Sequence, residues 1–160
     1  ARAARCASDA VQGQLERQRV ARSQKALEAL GDGIKAAGGH VTLVPLDRTE
    51  ANASERLSVA VLERWKKRDG LVGNAGVLGP LGPLQTITPS GFNSTIDVNL
   101  TANWRLIRSF DPLLRASPAG RAVFITSGVV PRPRAFWGAS QASNAGLGGM
   151  VAALSPNSHC

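Results

Sequence analysis

The sequence of 160 residues contains no tyrosine and only two histidines and two cysteines. Cys6 and Cys160 lie near opposite ends of the chain, with no Cys-x-x-Cys or Cys/His spacing, which argues against a disulfide framework and a zinc site. We therefore expect no bound metal and a reducing compartment, the cytoplasm. Residues 1–20 are rich in arginine and poor in acids, as transit peptides are, so a mitochondrion or another organelle is the alternative.

Long apolar runs and acidic residues are also scarce. No stretch approaches the roughly 18 consecutive apolar residues of a membrane-spanning helix. The 11 acidic residues against 19 lysines and arginines leave a net charge of +8, which can indicate a nucleic-acid partner. However, the basic residues are spread over the N-terminus, one helix end and one loop, without interleaved aromatics. We expect neither a membrane span nor a nucleic-acid partner.

The remaining patterns predict one α/β domain. Residues 1–22 are a poorly defined segment in which Asp9 could cap a helix through Val11 and Leu15, residues 23–153 form the domain, and residues 154–160 are a tail. Helices and short apolar strands alternate along the domain, which implies a doubly wound parallel sheet with helices on both faces. Only residues 20–21 suggest a strand in the N-terminal part, so the first βα unit is predicted to be missing or degraded.

The predicted elements follow from apolar spacing and from capping residues. Helix 23–38 has apolar positions at Leu27, Leu30 and Ile34 and a Gly38-Gly39 stop, and helix 50–68 carries Leu57, Val61, Leu62 and Trp65 on one face. The other predicted elements are a buried strand over residues 40–47, a short strand over 69–73, a long helix over 92–115, a buried strand over 122–126 and a helix from residue 139.

Polar residues at the end of the strand over 122–126 and on the helix after it define a candidate site. A strand that delivers the hydroxyl of Ser127 to its carboxyl end is how open α/β sheets build sites. Ser140 and Asn144 stand one helical turn apart and could face the same crevice. In Asn74-Ala75-Gly76, the small residues would let a ligand approach the backbone closely.

From Asp47 onward, the sequence resembles the short-chain dehydrogenase/reductase family. Members of that family are Rossmann-fold enzymes that move hydride between NAD(P) and a carbonyl or alcohol. Five features match in the right order, and their combined spacing is specific. The matching features are Leu46-Asp47, Asn74-Ala75-Gly76 with Gly73 in place of the family's first asparagine, Asn99 within Asp97-Val98-Asn99-Leu100, Gly120 to Ser127, and Trp137-Gly138-Ala139-Ser140 to Ala145.

The resemblance assigns roles to these residues. It implies that Asp47 contacts the adenine, that Asn74, Ala75 and Gly76 line the cofactor, and that Asn99 and Ser127 belong to the catalytic group. Arg22 stands where a basic side chain favours the 2′-phosphate, which slightly favours NADP over NAD. The glycine-rich turn that places the pyrophosphate at a helix N-terminus is not recognisable before residue 20.

The family's catalytic tyrosine and lysine are replaced in this sequence. Ser140 stands thirteen positions after Ser127, where the family has tyrosine, and Asn144 stands where it has lysine. A phenol can be tuned toward neutral pH by an adjacent ammonium, whereas an aliphatic hydroxyl cannot reach a useful acid/base range without a strong base beside it. His40 and His159 offer no replacement in this topology.

Two functional hypotheses follow. The first is an NAD(P)-dependent oxidoreductase, impaired at Ser140 and Asn144, that acts on a small carbonyl or alcohol. The second is a catalytically inactive Rossmann-like scaffold or a subunit of a larger assembly. Ser127 either binds a carbonyl or satisfies local backbone groups, and a structural role is favoured for Asn74 and Asn99. We expect a homo-oligomer or a complex, because a missing first βα unit would expose a sheet edge.

Overall fold

A computed structural model describes residues 16–21, 24–36, 40–47 and 49–154. The chain divides into two compact units, Ala1–Asp47 and Arg48–Cys160. Strands and helices alternate through the described residues, as the sequence predicted, and the strand pairs are parallel. The elements are β1 (Glu16–Ala21), α1 (Gln24–Ala36), β2 (His40–Pro45), α2 (Ala53–Trp65), β3 (Gly70–Gly73), a 3₁₀ turn (Leu84–Thr86), α3 (Pro89–Ile96), a π-helical turn (Asp97–Thr101), α4 (Ala102–Arg115), β4 (Arg121–Phe124) and α5 (Gly138–Leu154).

In the first unit, β1 and β2 form a parallel pair in which Glu16 lies opposite His40 and Ala21 opposite Pro45. The prediction of a strand limited to residues 20–21 was therefore wrong. The sequence of β1 lacks an apolar pattern, but the ladder is made by backbone groups, and the polar residues Gln18 and Arg19 are accommodated at half-buried positions. The predicted helix through Val11 and the Gly38-Gly39 stop lie outside the described residues.

Helix α1 packs on β2, and Gly31 lies at this contact. Leu27 is buried, whereas Leu30, predicted on the apolar face, is exposed. At Gly31 an added Cβ would lie 3.0 Å from Cδ1 of Leu43, so this glycine allows the helix to approach the strand closely. Strand β2 is half-buried rather than buried, and Asp47 is exposed two residues beyond its end.

In the second unit, β3 and β4 form a parallel pair in which Gly70 lies opposite Arg121 and Gly73 opposite Phe124. Helices α2 and α4 build the core of this unit. Leu62 does not belong to it, because it is 48% exposed, and its neighbour Val61 takes the inward position about 100° away around the helix. The core consists of Val61, Leu106, Phe110 and Leu113, with Leu57, Trp65 and Leu71 packed against it.

The predicted buried strand over residues 122–126 is shorter and more exposed than expected. Strand β4 ends at Phe124, and Val123 is 54% exposed beside Val72, which is 58% exposed. Alternate side chains of a strand point to opposite faces, and α4 packs on the face that includes Leu71. In the part of this unit that the structure describes, the opposite face of the strand pair is open to solvent.

The predicted long helix contains a change of helical type. Thr88 caps α3, since its Oγ1 accepts a hydrogen bond from the backbone N–H of Gly91 at 3.2 Å, and Pro89 occupies the first turn. The helix therefore begins three residues before the predicted Phe92. Between α3 and α4, the π-helical turn Asp97–Thr101 widens the helix, and Asn99 lies in the middle of this turn.

Among the helices that the structure describes, none combines the length and the apolar character needed to cross a membrane.

Candidate functional site

Ser127 lies three residues beyond β4. The strand pairing continues past β4, because the N–H of Ile125 donates to the carbonyl of Gly73 at 2.9 Å. Ser127 then opens a turn: its carbonyl accepts from the N–H of Val130 at 3.1 Å, and its Oγ lies 3.4 Å from the N–H of Val129. The hydroxyl therefore has a backbone partner within its own turn, as expected if Ser127 satisfies local backbone groups.

The turn Asn74-Ala75-Gly76 begins directly after β3. Asn74 and Gly76 are exposed and Ala75 is half-buried, so the backbone of the turn is open to a ligand. An added Cβ at Gly76 would meet Asn99 Oδ1 at 3.5 Å, an ordinary contact, so the protein does not fill the space over this glycine. The turn offers polar groups on an accessible backbone.

The side chain of Asn99 holds the far end of this turn. Its Oδ1 accepts from the N–H of Val77 at 2.8 Å, and its Nδ2 donates to the carbonyl of Val77 at 2.9 Å. The same Nδ2 donates to Oγ of Ser143 at 2.9 Å. Asn99 is buried, and its amide makes paired hydrogen bonds with the N–H and the carbonyl of one residue, Val77, while it reaches across to helix α5.

Three polar residues on one face of α5 complete the network. Ser143 Oγ donates to the carbonyl of Ser140 at 3.0 Å, and Asn144 Nδ2 donates to the same carbonyl at 2.8 Å. Asn144 Nδ2 also lies 3.5 Å from Ser140 Oγ. Ser140 is 3% and Asn144 9% exposed, so both side chains are directed into the protein.

The structure brings some predicted site residues together and leaves others apart. Hydrogen bonds connect Asn99 through Ser143 to Ser140 and Asn144. Among the described residues, no hydrogen bond joins Ser127 to this network. Asp47 follows β2 in the first unit, and Arg22 lies outside the described residues.

The network carries no charge. Its members are amides, hydroxyls and backbone groups, and none of them titrates near neutral pH. The pKa is raised for two surface arginines, Arg56 by its hydrogen bond to Glu50 and Arg115 by its hydrogen bond to Asp111, and neither belongs to the network. Within the described ranges, no three histidine, cysteine, aspartate or glutamate side chains lie close enough together to hold a metal ion.

An apolar rim adjoins this region. The loops after β3 and β4 meet where the N–H of Gly82 donates to the carbonyl of Phe136 at 3.1 Å. Phe136 has a φ of 70°, a strained value for an aromatic residue, and its ring is exposed. Leu84 lies against Gly138 at the start of α5, where an added Cβ would be 2.8 Å from its Cδ1.

Sequence reasoning missed Ser143 and Asn103. Ser143 stands three positions after Ser140, and helical spacing places both on one face, so its position was a usable signal. Asn103 is fully buried, and its Nδ2 donates to the carbonyl of Asn99 at 2.8 Å. Asn103 stands four positions after Asn99, but nothing in the sequence separates it from a surface asparagine.

Comparison with known proteins identifies sequence relatives. The family model described as short chain dehydrogenase matches residues 3–159. The uncharacterized oxidoreductase YciK of Escherichia coli K12 is 34% identical over 100 residues, covering 62% of this chain and 40% of the relative. Sepiapterin reductase of Chlorobaculum tepidum is 31% identical over 101 residues, covering 63% and 41%. The chain therefore spans about two fifths of the length of these relatives.

Solved structures agree with the sequence relatives. A metagenomic short-chain oxidoreductase in complex with NADP matches with a TM-score of 0.82 and 33% identity, over 88% of this chain and 63% of that one. An alcohol dehydrogenase from Thermococcus sibiricus complexed with 5-hydroxy-NADP matches with a TM-score of 0.78 and 30% identity, over 88% and 59%. The α/β fold is Rossmann-like, as predicted, and the chain belongs to the short-chain dehydrogenase family.

Proposed function

We propose that this chain is part of a short-chain oxidoreductase whose hydride transfer between NAD(P) and a small carbonyl or alcohol is impaired. The observation that carries the proposal is the buried pair on α5, Ser140 and Asn144, to which the sequence resemblance assigns the positions of the family's tyrosine and lysine. Ser127 would polarise the carbonyl, and Asn99 would hold the adjoining turn. NADP is slightly favoured by Arg22, which lies outside the described residues.

The impairment follows from the groups around Ser140. Its hydroxyl has Asn144 Nδ2 as a neighbour at 3.5 Å, and an amide N–H cannot accept a proton. General acid/base catalysis contributes about 10²–10⁴-fold, and it needs a group whose pKa lies near the working pH. Without a base beside the hydroxyl, Ser140 cannot supply that contribution.

The described residues suit a bound dinucleotide at the turn after β3 but not at position 144. The turn Asn74-Ala75-Gly76 presents an exposed backbone that Asn99 fixes, which suits the close approach of a ligand. At position 144, an uncharged and largely buried amide turns back onto its own helix, so it offers no cation to a ribose or to a phenol. A bound NAD(P) would supply or accept the hydride, and this chain's residues would supply orientation and, at Ser127, polarisation of the carbonyl.

A second candidate is a catalytically inactive scaffold or a subunit of a larger assembly. The observation in its favour is that Asn144 and Ser143 both donate to the carbonyl of Ser140, so the polar groups of this helix face are satisfied without a ligand. The open face of the β3–β4 pair at Val72 and Val123 supports a homo-oligomer or a complex.

We place the protein in the cytoplasm, with an organelle as the alternative, because it has few cysteines.

Cofactor titration and a restoring double substitution separate the two candidates. NADPH and NADH are titrated while nicotinamide fluorescence is followed, and NADPH oxidation is then measured with an aromatic diketone as the probe. The proposal predicts micromolar binding and a turnover that rises about 10²-fold or more in Ser140→Tyr/Asn144→Lys.

The matched control is Ser140→Phe/Asn144→Met, which adds similar bulk without the phenol and the ammonium. Equal turnover in the two double variants would contradict the proposed role of positions 140 and 144. Absence of binding at millimolar NADPH and NADH in every variant would favour the scaffold.

A further inference from the structure

Asn103 connects the two ends of the turn that follows β3. It is the second residue of α4, its side chain is 1% exposed, and its Nδ2 donates to the carbonyl of Asn99 at 2.8 Å. We propose that Asn103 is a positioning residue that seats Gly73 directly and holds Val77 through Asn99, so that one buried amide fixes the turn from residue 74 to residue 76 at both ends.

The contact with Asn99 is made where the helix is irregular. Asn99 lies in the π-helical turn, in which the N–H of Ala102 donates to the carbonyl of Asp97, five residues back. A π-turn displaces the regular pairing of N–H and carbonyl groups, and such turns occur frequently at functional sites. The side-chain amide of Asn103 donates a hydrogen bond to the carbonyl of Asn99. This bond fixes the backbone of Asn99, while the side chain of Asn99 holds Val77.

The contact with Gly73 is steric. A Cβ built on Gly73 would lie 2.7 Å from Oδ1 of Asn103 and 2.6 Å from Cε1 of Phe124, and closer still to Cδ1 of that ring. Real Cβ atoms do not approach other heavy atoms so closely, so this position accepts only glycine while Asn103 and Phe124 stay in place. Gly73 is also the register partner of Phe124, and its carbonyl accepts from the N–H of Ile125.

Glycine at position 73 is therefore part of an arrangement of three residues. Phe124 covers one side of Gly73 on the neighbouring strand, and Asn103 supports it from helix α4. Among the described residues, Oδ1 of Asn103 accepts no hydrogen bond, which is costly for a buried amide. A hydrophobic residue of similar size would avoid that cost but would lose the bond to Asn99, so the presence of an amide at this position fits a positioning role.

The geometry of the turn bears on the proposed function, because Asn74 and Gly76 are the groups that would approach a dinucleotide. The positioning role itself is measurable without cofactor or activity. Its reporter is the amide proton of Val77, which donates to Asn99 Oδ1 at 2.8 Å. The exchange rate of this proton therefore tests the positioning role even if the proposed function is wrong.

The test is hydrogen exchange followed by NMR on the whole chain. In Asn103→Leu, exchange at the Val77 amide should rise about tenfold relative to the amides of α2, since Asn99 loses its support. The matched control is Leu106→Ala, which opens a cavity on the same helix and should change this ratio by less than about twofold. Equal ratios in Asn103→Leu and Leu106→Ala would show that Asn103 acts only through general stability and would overturn the proposal.

A measurement on the unsubstituted protein remains decisive if Asn103→Leu does not fold. The side-chain amide protons of Asn103, which are donated to the carbonyl of Asn99, should exchange far more slowly than those of Asn93, an exposed asparagine on α3, and the ring protons of Phe124 should show proximity to the Hα protons of Gly73. Fast exchange at Asn103, or no proximity of the Phe124 ring to Gly73, would refute the arrangement.

Discussion

Removal of the Asn99 side chain tests the network that organises the candidate site. Asn99→Ala deletes three hydrogen bonds at once, two with the backbone of Val77 and one with Ser143 Oγ. The backbone carbonyl of Asn99 stays in place, so the bond from Asn103 can remain. The substitution therefore isolates the side-chain contacts that join the turn after β3 to α5.

The expected loss of stability is moderate. Each of these hydrogen bonds contributes about 1 kcal/mol net. The peptide groups of Val77 can regain water, because this residue is exposed, and Ser143 keeps its bond to the carbonyl of Ser140. No group is therefore left buried without a partner, and the free energy of unfolding should fall by about 3 kcal/mol. Alanine's better helix propensity offsets at most about 0.7 kcal/mol of this loss.

Urea unfolding followed by tryptophan fluorescence measures this loss. Trp65, Trp104 and Trp137 all lie in the second unit, so their emission reports the unfolding of the unit that contains Asn99. The control is Asn93→Ala, at an exposed position of α3, where the helix-propensity gain is similar and no buried bond is lost. A difference between the two variants below about 0.5 kcal/mol would refute the energetic role assigned to the Asn99 amide.

Three further predictions concern backbone geometry and helix capping. Gly120→Ala should destabilise the second unit by more than about 1 kcal/mol in the same urea assay, because a Cβ would lie 2.8 Å from the carbonyl carbon of Leu114, which is backbone and cannot turn aside. Gly149→Ala, with open space around it on α5, should instead stabilise by about 0.5–1 kcal/mol, and a loss there would contradict the helix assignment. Thr88→Ala should cost about 1 kcal/mol by removing the cap bond from the Gly91 N–H, whereas Thr88→Ser should keep most of it, and equal costs would exclude the cap.

Amphipathic helices were the most predictable elements of this fold. Helix α1 was expected over residues 23–38 and spans Gln24–Ala36, because apolar spacing and helix propensity act locally. Strand β1 was largely missed. Its sequence Glu-Arg-Gln-Arg-Val-Ala shows no alternation, and the pairing that defines it comes from β2, which begins nineteen residues after β1 ends. Local sequence does not contain that partner.

Some members of the candidate site were predictable from the sequence, but its connections were not. Their spacing predicted that Ser140 and Asn144 lie one turn apart on a helix, and in the structure the Asn144 amide donates to the carbonyl of Ser140 within α5. The bonds from Asn99 to Val77 and Ser143 span 22 and 44 positions, and they depend on how α3, the π-helical turn and α5 pack. Glycine at position 73 looked like a simple departure from the family motif, because the ring and the amide that require it come from two other elements.

The network around Asn99 also bears on the proposed exchange of the family's tyrosine and lysine. Both amide hydrogens of Asn99 are used within the protein, on Val77 and on Ser143, and the chain of bonds ends at the backbone carbonyl of Ser140. None of these bonds needs the side chain at position 140 or 144. Because the network ends at a backbone carbonyl, the proposed exchange of the two side chains would remove acid/base chemistry without removing the support of the turn. For that reason, restoration of both side chains is a meaningful test of function.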